Sequence, residues 1–245
     1  MLVNVALTDM RTIPRPPPTA PGFVLVLNGC SSSGKTSIAK VLQQSQPLAL
    51  LHLQLDAFRA MEPQGYFGPD QRDVAPLRVA ALCRAMHAAT REYALHGQNV
   101  ILDHVLSTEA WQYLLEDFVD LPVYLVAVQC ELAEAERREA ERHDRTPGLA
   151  RSQWRHIHEG RDYDCIVDTT CATATACAAQ VLAWLRHRPM PLAFTTMQGG
   201  HSHPCRPVQG PLAYDRHGVG HTACLNRIPL DPISETSGTT VHTTR

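Results

Sequence analysis

Between Phe23 and about Arg188 the apolar residues of this chain follow two alternating rhythms. Short continuous runs, at Phe23-Val24-Leu25-Val26-Leu27, Leu50–Leu55, Asn99–Asp103, Pro122–Val128 and Tyr163–Val167, predict strands buried on both faces. Between them come stretches with apolar positions three and four apart. Thr36–Gln44 carries Ile38, Val41 and Leu42, and Val74–His96 carries Leu77, Leu82, Met86 and Tyr93, with Gly97 to close it. A third helix passes through Trp111, Leu114, Leu115 and Phe118, a strongly charged one spans Glu131–Arg142, and a last one spans Thr173–Arg186. Strand–helix alternation implies parallel strands joined by right-handed crossovers, hence an α/β three-layer sandwich with a mostly parallel sheet.

The rhythm stops at both ends. Residues 1–21, with Pro14-Arg15-Pro16-Pro17-Pro18 and Pro21, read as a flexible proline-rich leader. Residues 22–188 form the expected domain. Residues 189–245 lack sustained periodicity and read as a disordered, dispensable tail, and His201-Ser202-His203-Pro204-Cys205 within them reads as tail, not metal site.

Composition narrows the class. The chain has 245 residues, 44% of them hydrophobic, enough for one core plus tails. A net charge of −2, with acids and bases interleaved, gives no support to a nucleic-acid partner. No apolar run reaches the length of a membrane span and no signal peptide is evident, so the expectation is a cytoplasmic protein without a membrane partner. The eight cysteines include no C-x-x-C pair and read as small buried residues of a reducing compartment. Oligomeric state leaves no mark in the sequence.

After the first strand, Gly29-Cys30-Ser31-Ser32-Ser33-Gly34-Lys35-Thr36 fits the phosphate-binding pattern G-x-x-x-x-G-K-[ST] at every required position, and a helix follows. Glycines let the backbone curl until successive N–H groups point at phosphate oxygens, and the helix adds the positive end of its dipole. Lys35, one of only two lysines in the chain, can reach the β- and γ-phosphates, and the Thr36 hydroxyl can ligate Mg²⁺. The pattern therefore predicts binding of a nucleoside triphosphate. Cys30, inside the loop, is expected to act sterically and not as a redox group.

Three further features fall where ligands sit in such sheets, beyond the carboxyl ends of the strands. Asp56 follows the second strand and can orient an acceptor hydroxyl and take its proton, or else cap the helical turn after it. Asp103 ends a buried strand and can hold Mg²⁺, or else serve as a turn acid. Arg138, Arg142 and Arg145 recur on one face of the charged helix and its exit. They can stabilise a transferring phosphoryl group, or simply pair with Glu134 and Glu141 on a solvated face. No Asn-Lys-x-Asp motif is present, which argues against a GTPase.

Together these residues resemble the chloramphenicol phosphotransferase-like P-loop kinases. The likeness lies in Leu25–Thr36, Asp56-Ala57-Phe58-Arg59-Ala60-Met61, Arg138–Arg145, His158–Asp164 and Val167–Thr170, in that order. It implies a P-loop NTPase, nucleotide kinase-like architecture and transfer of the γ-phosphoryl group of ATP, with Mg²⁺, to a hydroxyl of a small molecule. By the resemblance Asp56 is the general base, Lys35 the phosphate-binding lysine, and Arg138, Arg142 and Arg145 the cations of a lid. One departure concerns the metal: His104 stands where family members often carry a second acid. The segment Met61–Asp73, with Tyr66 and Phe67, is expected to help wall the acceptor pocket. The resemblance carries no antibiotic specificity, and antibiotic resistance follows only if chloramphenicol is the acceptor. A sugar, nucleoside or shikimate-like acceptor, or a regulatory module that binds ATP without transferring phosphate, are the rival readings.

Overall fold

The computed structural model describes residues 20–45, 48–68, 71, 73–142, 147–187 and 189–200. Five parallel strands, β1 (Val24–Asn28), β2 (Leu50–Gln54), β3 (Asn99–His104), β4 (Val123–Gln129) and β5 (Cys165–Asp168), lie in the order β2-β3-β1-β4-β5. Side chains alternate across β1. Val24 and Val26 face one apolar layer, while Leu25 and Leu27 face the other, and all four are fully buried. That two-sided burial is why the strands read as unbroken apolar runs.

One layer is made by α3 (Ala75–Leu95), α4 (Thr108–Asp117) and α8 (Leu192–Gly200), through Met86, Leu114, Phe118 and Phe194. The other is made by α1 (Lys35–Gln43) and α7 (Ala174–Arg186), through Ile38, Leu42, Cys177 and Val181. The helix starts follow local chemistry: Ser107 Oγ accepts from Ala110 N and Thr173 Oγ1 from Ala176 N, each 3.2 Å, which satisfies N–H groups that lack an intrahelical partner. Three further helices, α2 (Leu55–Arg59), α5 (Leu132–Ala140) and α6 (Leu149–Trp154), gather at the carboxyl ends of the strands or lead away from them.

The predicted strands and long helices form within a few residues of their expected limits. The boundary at Arg188 does not stand. Residues 192–200 are helical, and Ala193 and Phe194 are buried against the α4 and β4 layer. Asp164 Oδ1 accepts from Ala193 N at 2.9 Å, and Tyr124 Oη donates to Pro189 O at 2.9 Å. The helix is too short for its periodicity to stand out among prolines and threonines, and its apolar residues find a partner only once the sheet exists. The leader apart from Ala20 and Pro21, and residues 201–245 with their histidine pair, lie outside the described residues.

Candidate active site

Strand register brings the candidate acids to the loop. Asp103 pairs with Leu27 on one side and with Gln54 on the other, so it stands between the strand that enters the loop and the strand that leads to Asp56. Here, at the carboxyl edge where the chain reverses its order across the sheet, a cavity of about 730 Å³ opens. Ser31, Ser32, Gly34, Lys35, Thr36, Asp56, Asp103, Arg138 and Arg142 all line it.

The loop's shape depends on two glycines. A Cβ on Gly29 would lie 2.4 Å from Val128 O and 2.6 Å from Ser33 Oγ, so no larger residue fits. Gly34 has φ 91°, a left-handed conformation that directs the chain into α1. Lys35, only 7% exposed, donates from Nζ to Gly29 O (2.9 Å) and Cys30 O (2.8 Å), which holds the ammonium over the curl. The Ser32 and Ser33 hydroxyls are buried without a hydrogen-bond partner. Buried polar groups normally have one, and a loop with unmet hydroxyls, an ammonium and a glycine-only cradle suits a phosphate chain.

Thr36 Oγ1 donates to Asp103 Oδ2 at 2.6 Å across 67 residues of sequence. Burial works to raise the Asp103 carboxyl. The His52 ring, the Lys35 charge and the Thr36 hydroxyl outweigh it and hold the group below its ordinary range. Asp103 is therefore an anion at neutral pH, as a metal ligand must be. Among the described residues no three His, Cys, Asp or Glu side chains converge into a metal cage. One hydroxyl beside one carboxylate still fits Mg²⁺, which keeps several waters and takes its other oxygens from phosphates.

Asp56 sits in the first turn of α2, exposed, with its residue on the cavity wall; the cap position is Gln54, so the capping role does not apply. Arg138 leaves the solvated face as well. Its Nη2 and Nη1 donate to Thr169 O (2.6 Å) and Oγ1 (3.2 Å), its Nε donates to Glu134 Oε1 (2.7 Å), and its Nη1 lies 3.6 Å from where a Gly34 Cβ would stand. The expected Glu134–Arg138 pair therefore forms alongside the contacts to Thr169, and Arg137 shares Glu134 and also pairs with Glu141. Arg142 reaches the cavity, and Arg145 lies outside the described residues.

Tyr66 and Phe67 do not line this cavity. They pack edge-to-face at 5.2 Å, with Arg59 over Phe67 (4.9 Å) and Arg78 over Tyr66 (4.3 Å), while Arg59 and Val79 are among the residues that line the cavity. His104 points to the opposite layer from Asp103. It is 3% exposed, its ring packs 5.4 Å from that of His87, and burial followed by the neighbouring His87 pushes it down to about 3. A neutral imidazole thus replaces a second carboxylate at the cavity floor.

Several residues that support the site lie within the resembling stretches, but no pattern along the chain points to their roles. Asn28, fully buried, donates to Ile157 O (3.0 Å) and Tyr163 Oη (2.7 Å) and accepts from Leu106 N (3.0 Å), which locks the strand end before the loop. Thr169 Oγ1 donates to Ser33 O at 2.8 Å. Glu139 accepts from Gly148 N and Ala150 N, each 2.8 Å, and so closes the segment that carries Arg142. Each partner lies far along the chain or across a turn with no periodicity.

A parallel sheet of this order, with a glycine-bounded phosphate loop leading into a helix, defines a P-loop α/β protein of the kinase kind. The family model described as chloramphenicol phosphotransferase-like protein matches residues 22–186, and the chain belongs to that family. Two Mycobacterium tuberculosis proteins, from strains CDC 1551 / Oshkosh and ATCC 25618 / H37Rv, each carry the name "Putative O-phosphotransferase". Each is 32% identical over 203 residues, which covers 72% of this chain and 88% of the relative. Among solved structures, a sugar kinase from Janibacter sp. HTCC2649 is similar in fold (TM-score 0.51, 20% identity, 68% of this chain and 95% of that one). So is the M. tuberculosis APS kinase CysC in complex with AMPPNP and APS (TM-score 0.51, 18% identity, 69% and 99%). Family and relatives together support a phosphotransferase.

Proposed function

We propose that this protein transfers the γ-phosphoryl group of ATP, with Mg²⁺, to a hydroxyl of a small molecule. The observation that carries the reading is convergence: loop, Thr36–Asp103 pair, Asp56 and arginines all line one cavity. Lys35 binds the phosphates with the loop N–H groups that remain beside those of Ser31 and Ser33, which donate to Gln153 Oε1 and Cys30 O, and Thr36 with Asp103 would hold the metal, which would supply charge neutralisation. Asp56, exposed to the cavity from α2, orients the acceptor hydroxyl and takes its proton. Arg138 and Arg142 meet the charge that spreads over the transferring group, and Arg145 belongs to the same set.

The family name points to chloramphenicol as one acceptor to try. The cavity wall gives no reason to prefer it: Arg59, Val79 and Leu55 mix charge with apolar surface. No helix among the described residues is long and apolar enough to cross a membrane. The six described cysteines are free thiols, which suits the ATP-rich, reducing cytoplasm.

Acceptor-dependent ATP consumption with Mg²⁺, measured on a panel of small hydroxyl compounds that includes chloramphenicol, tests the reading. Turnover is expected with at least one acceptor, and Asp56→Asn should lower it by roughly 10²- to 10⁴-fold while ATP binding stays within about threefold. ATP binding without turnover on any acceptor would overturn the enzyme in favour of the regulatory module.

A further inference from the structure

Gln153 stands on α6 and lines the cavity, yet the functions assigned so far make no use of it. Its Oε1 accepts from Ser31 N at 2.7 Å, a contact between residues 122 apart. A backbone N–H can only donate, so the atom that faces it is the amide oxygen. That fixes the orientation of the carboxamide, and both of its N–H donors stand at the other end of the group.

The helix that carries Gln153 is braced. Its first turn is tied to the buried Glu139 carboxylate through Gly148 N and Ala150 N. Trp154 Nε1 donates to Cys130 O at 2.8 Å, beyond the end of β4. Ala150 and Ile157 pack with Cys30, Cys130 and Ala135 behind the loop. Gln153 is therefore held against the phosphate loop, and it lines the same cavity as Arg138 and Arg142.

We propose that Gln153 binds the terminal phosphoryl group of a nucleoside triphosphate. Its oxygen fixes the Ser31 peptide, its nitrogen donates to a γ-phosphate oxygen, and the site thereby distinguishes triphosphate from diphosphate. The inference rests on the kinase reading, and it adds a selectivity device that neither the loop pattern nor the arginines supply.

Calorimetric titration of the full chain with Mg·ATP and with Mg·ADP, in wild type, Gln153→Met and Gln153→Glu, tests it without knowledge of the acceptor. Wild type should prefer ATP. Both variants should lose about tenfold in ATP affinity, the worth of one hydrogen bond to a charged group, with ADP affinity within about twofold. Gln153→Met decides between roles, because it removes the donor without adding a charge, whereas Gln153→Glu also sets an anion beside the phosphates. A residue that only braced the loop would, as Met, weaken both nucleotides equally. That pattern, or an unchanged ATP-to-ADP ratio in both variants, overturns the inference and leaves the kinase reading intact. Wild type that binds neither nucleotide overturns both. If Gln153→Glu fails to fold, the neutral, similarly sized Met variant still gives the ratio.

Discussion

On the proposed function, the wall that would meet phosphate comes from one continuous loop, through Ser31, Ser32, Gly34, Lys35 and Thr36, whereas the acceptor wall would be single side chains on separate elements: Asp56 and Arg59 on α2, Val79 on α3. Their supports differ as much as their make-up. The loop is pinned by Asn28, Thr169, Gln153 and the Lys35 ammonium, with most of its residues buried. α2 has no buried residue at all. On the proposed function, the contrast follows from the ligands. Phosphate needs the same N–H geometry in every nucleotide, so its cradle is rigid backbone, while an acceptor is read by side chains that can change without disturbing the sheet.

Lys35→Ala should have the largest effect. Removing the buried ammonium should lower both ATP affinity and turnover, the latter on the order of 10³-fold. Asp56→Asn, the corresponding change on the opposite wall, should lower turnover while ATP binding persists. Nucleotide titration beside a turnover assay separates the two, and parallel loss of binding in both variants would erase the distinction between the walls.

Next comes a change that should favour neither wall. Phe194 is 2% exposed and fills the layer beneath α4 and β4. Phe194→Ala should cost about 3 kcal/mol of stability, read as a lower denaturant midpoint, with nucleotide affinity unchanged below the transition. Truncation after Arg188 should cost at least as much, since it also removes Ala193 and its bond to Asp164. An unaltered midpoint would return residues 189–200 to the status of a dispensable tail.

Cys30→Ala should do least. The thiol is buried among Cys130, Ala135, Ala150 and Ile157, and burial pushes it up, so it is neither an anion nor exposed to oxidants. A loss of about 1 kcal/mol in stability is expected, with turnover within about twofold. A large fall in ATP affinity would mean that the loop reads phosphate through side chains as well as backbone, and the comparison would need to be redrawn.

Features encoded by neighbouring residues are legible along the chain. The loop is eight consecutive residues whose glycines and lysine act through their own backbone, so its pattern names its chemistry. The central strands are legible because burial on both faces leaves long apolar runs in them, as in Val24–Leu27 and Val100–Leu102. The resemblance of separate stretches in the right order extended this to the acids and arginines, although the spacing could not show that Arg138 contacts Thr169 while it keeps its pair with Glu134. Only tertiary structure decided the rest. Asp103 finds Thr36 across 67 residues, Gln153 finds Ser31 across 122, and Asn28 finds Tyr163 across 135. Tyr66 and Phe67 turn to each other and to arginines instead of the cavity, and Phe194 finds a core that its own segment does not announce. A backbone motif carries its geometry in its local sequence, but a side-chain contact over such separations exists only after the sheet has set the distance between its partners.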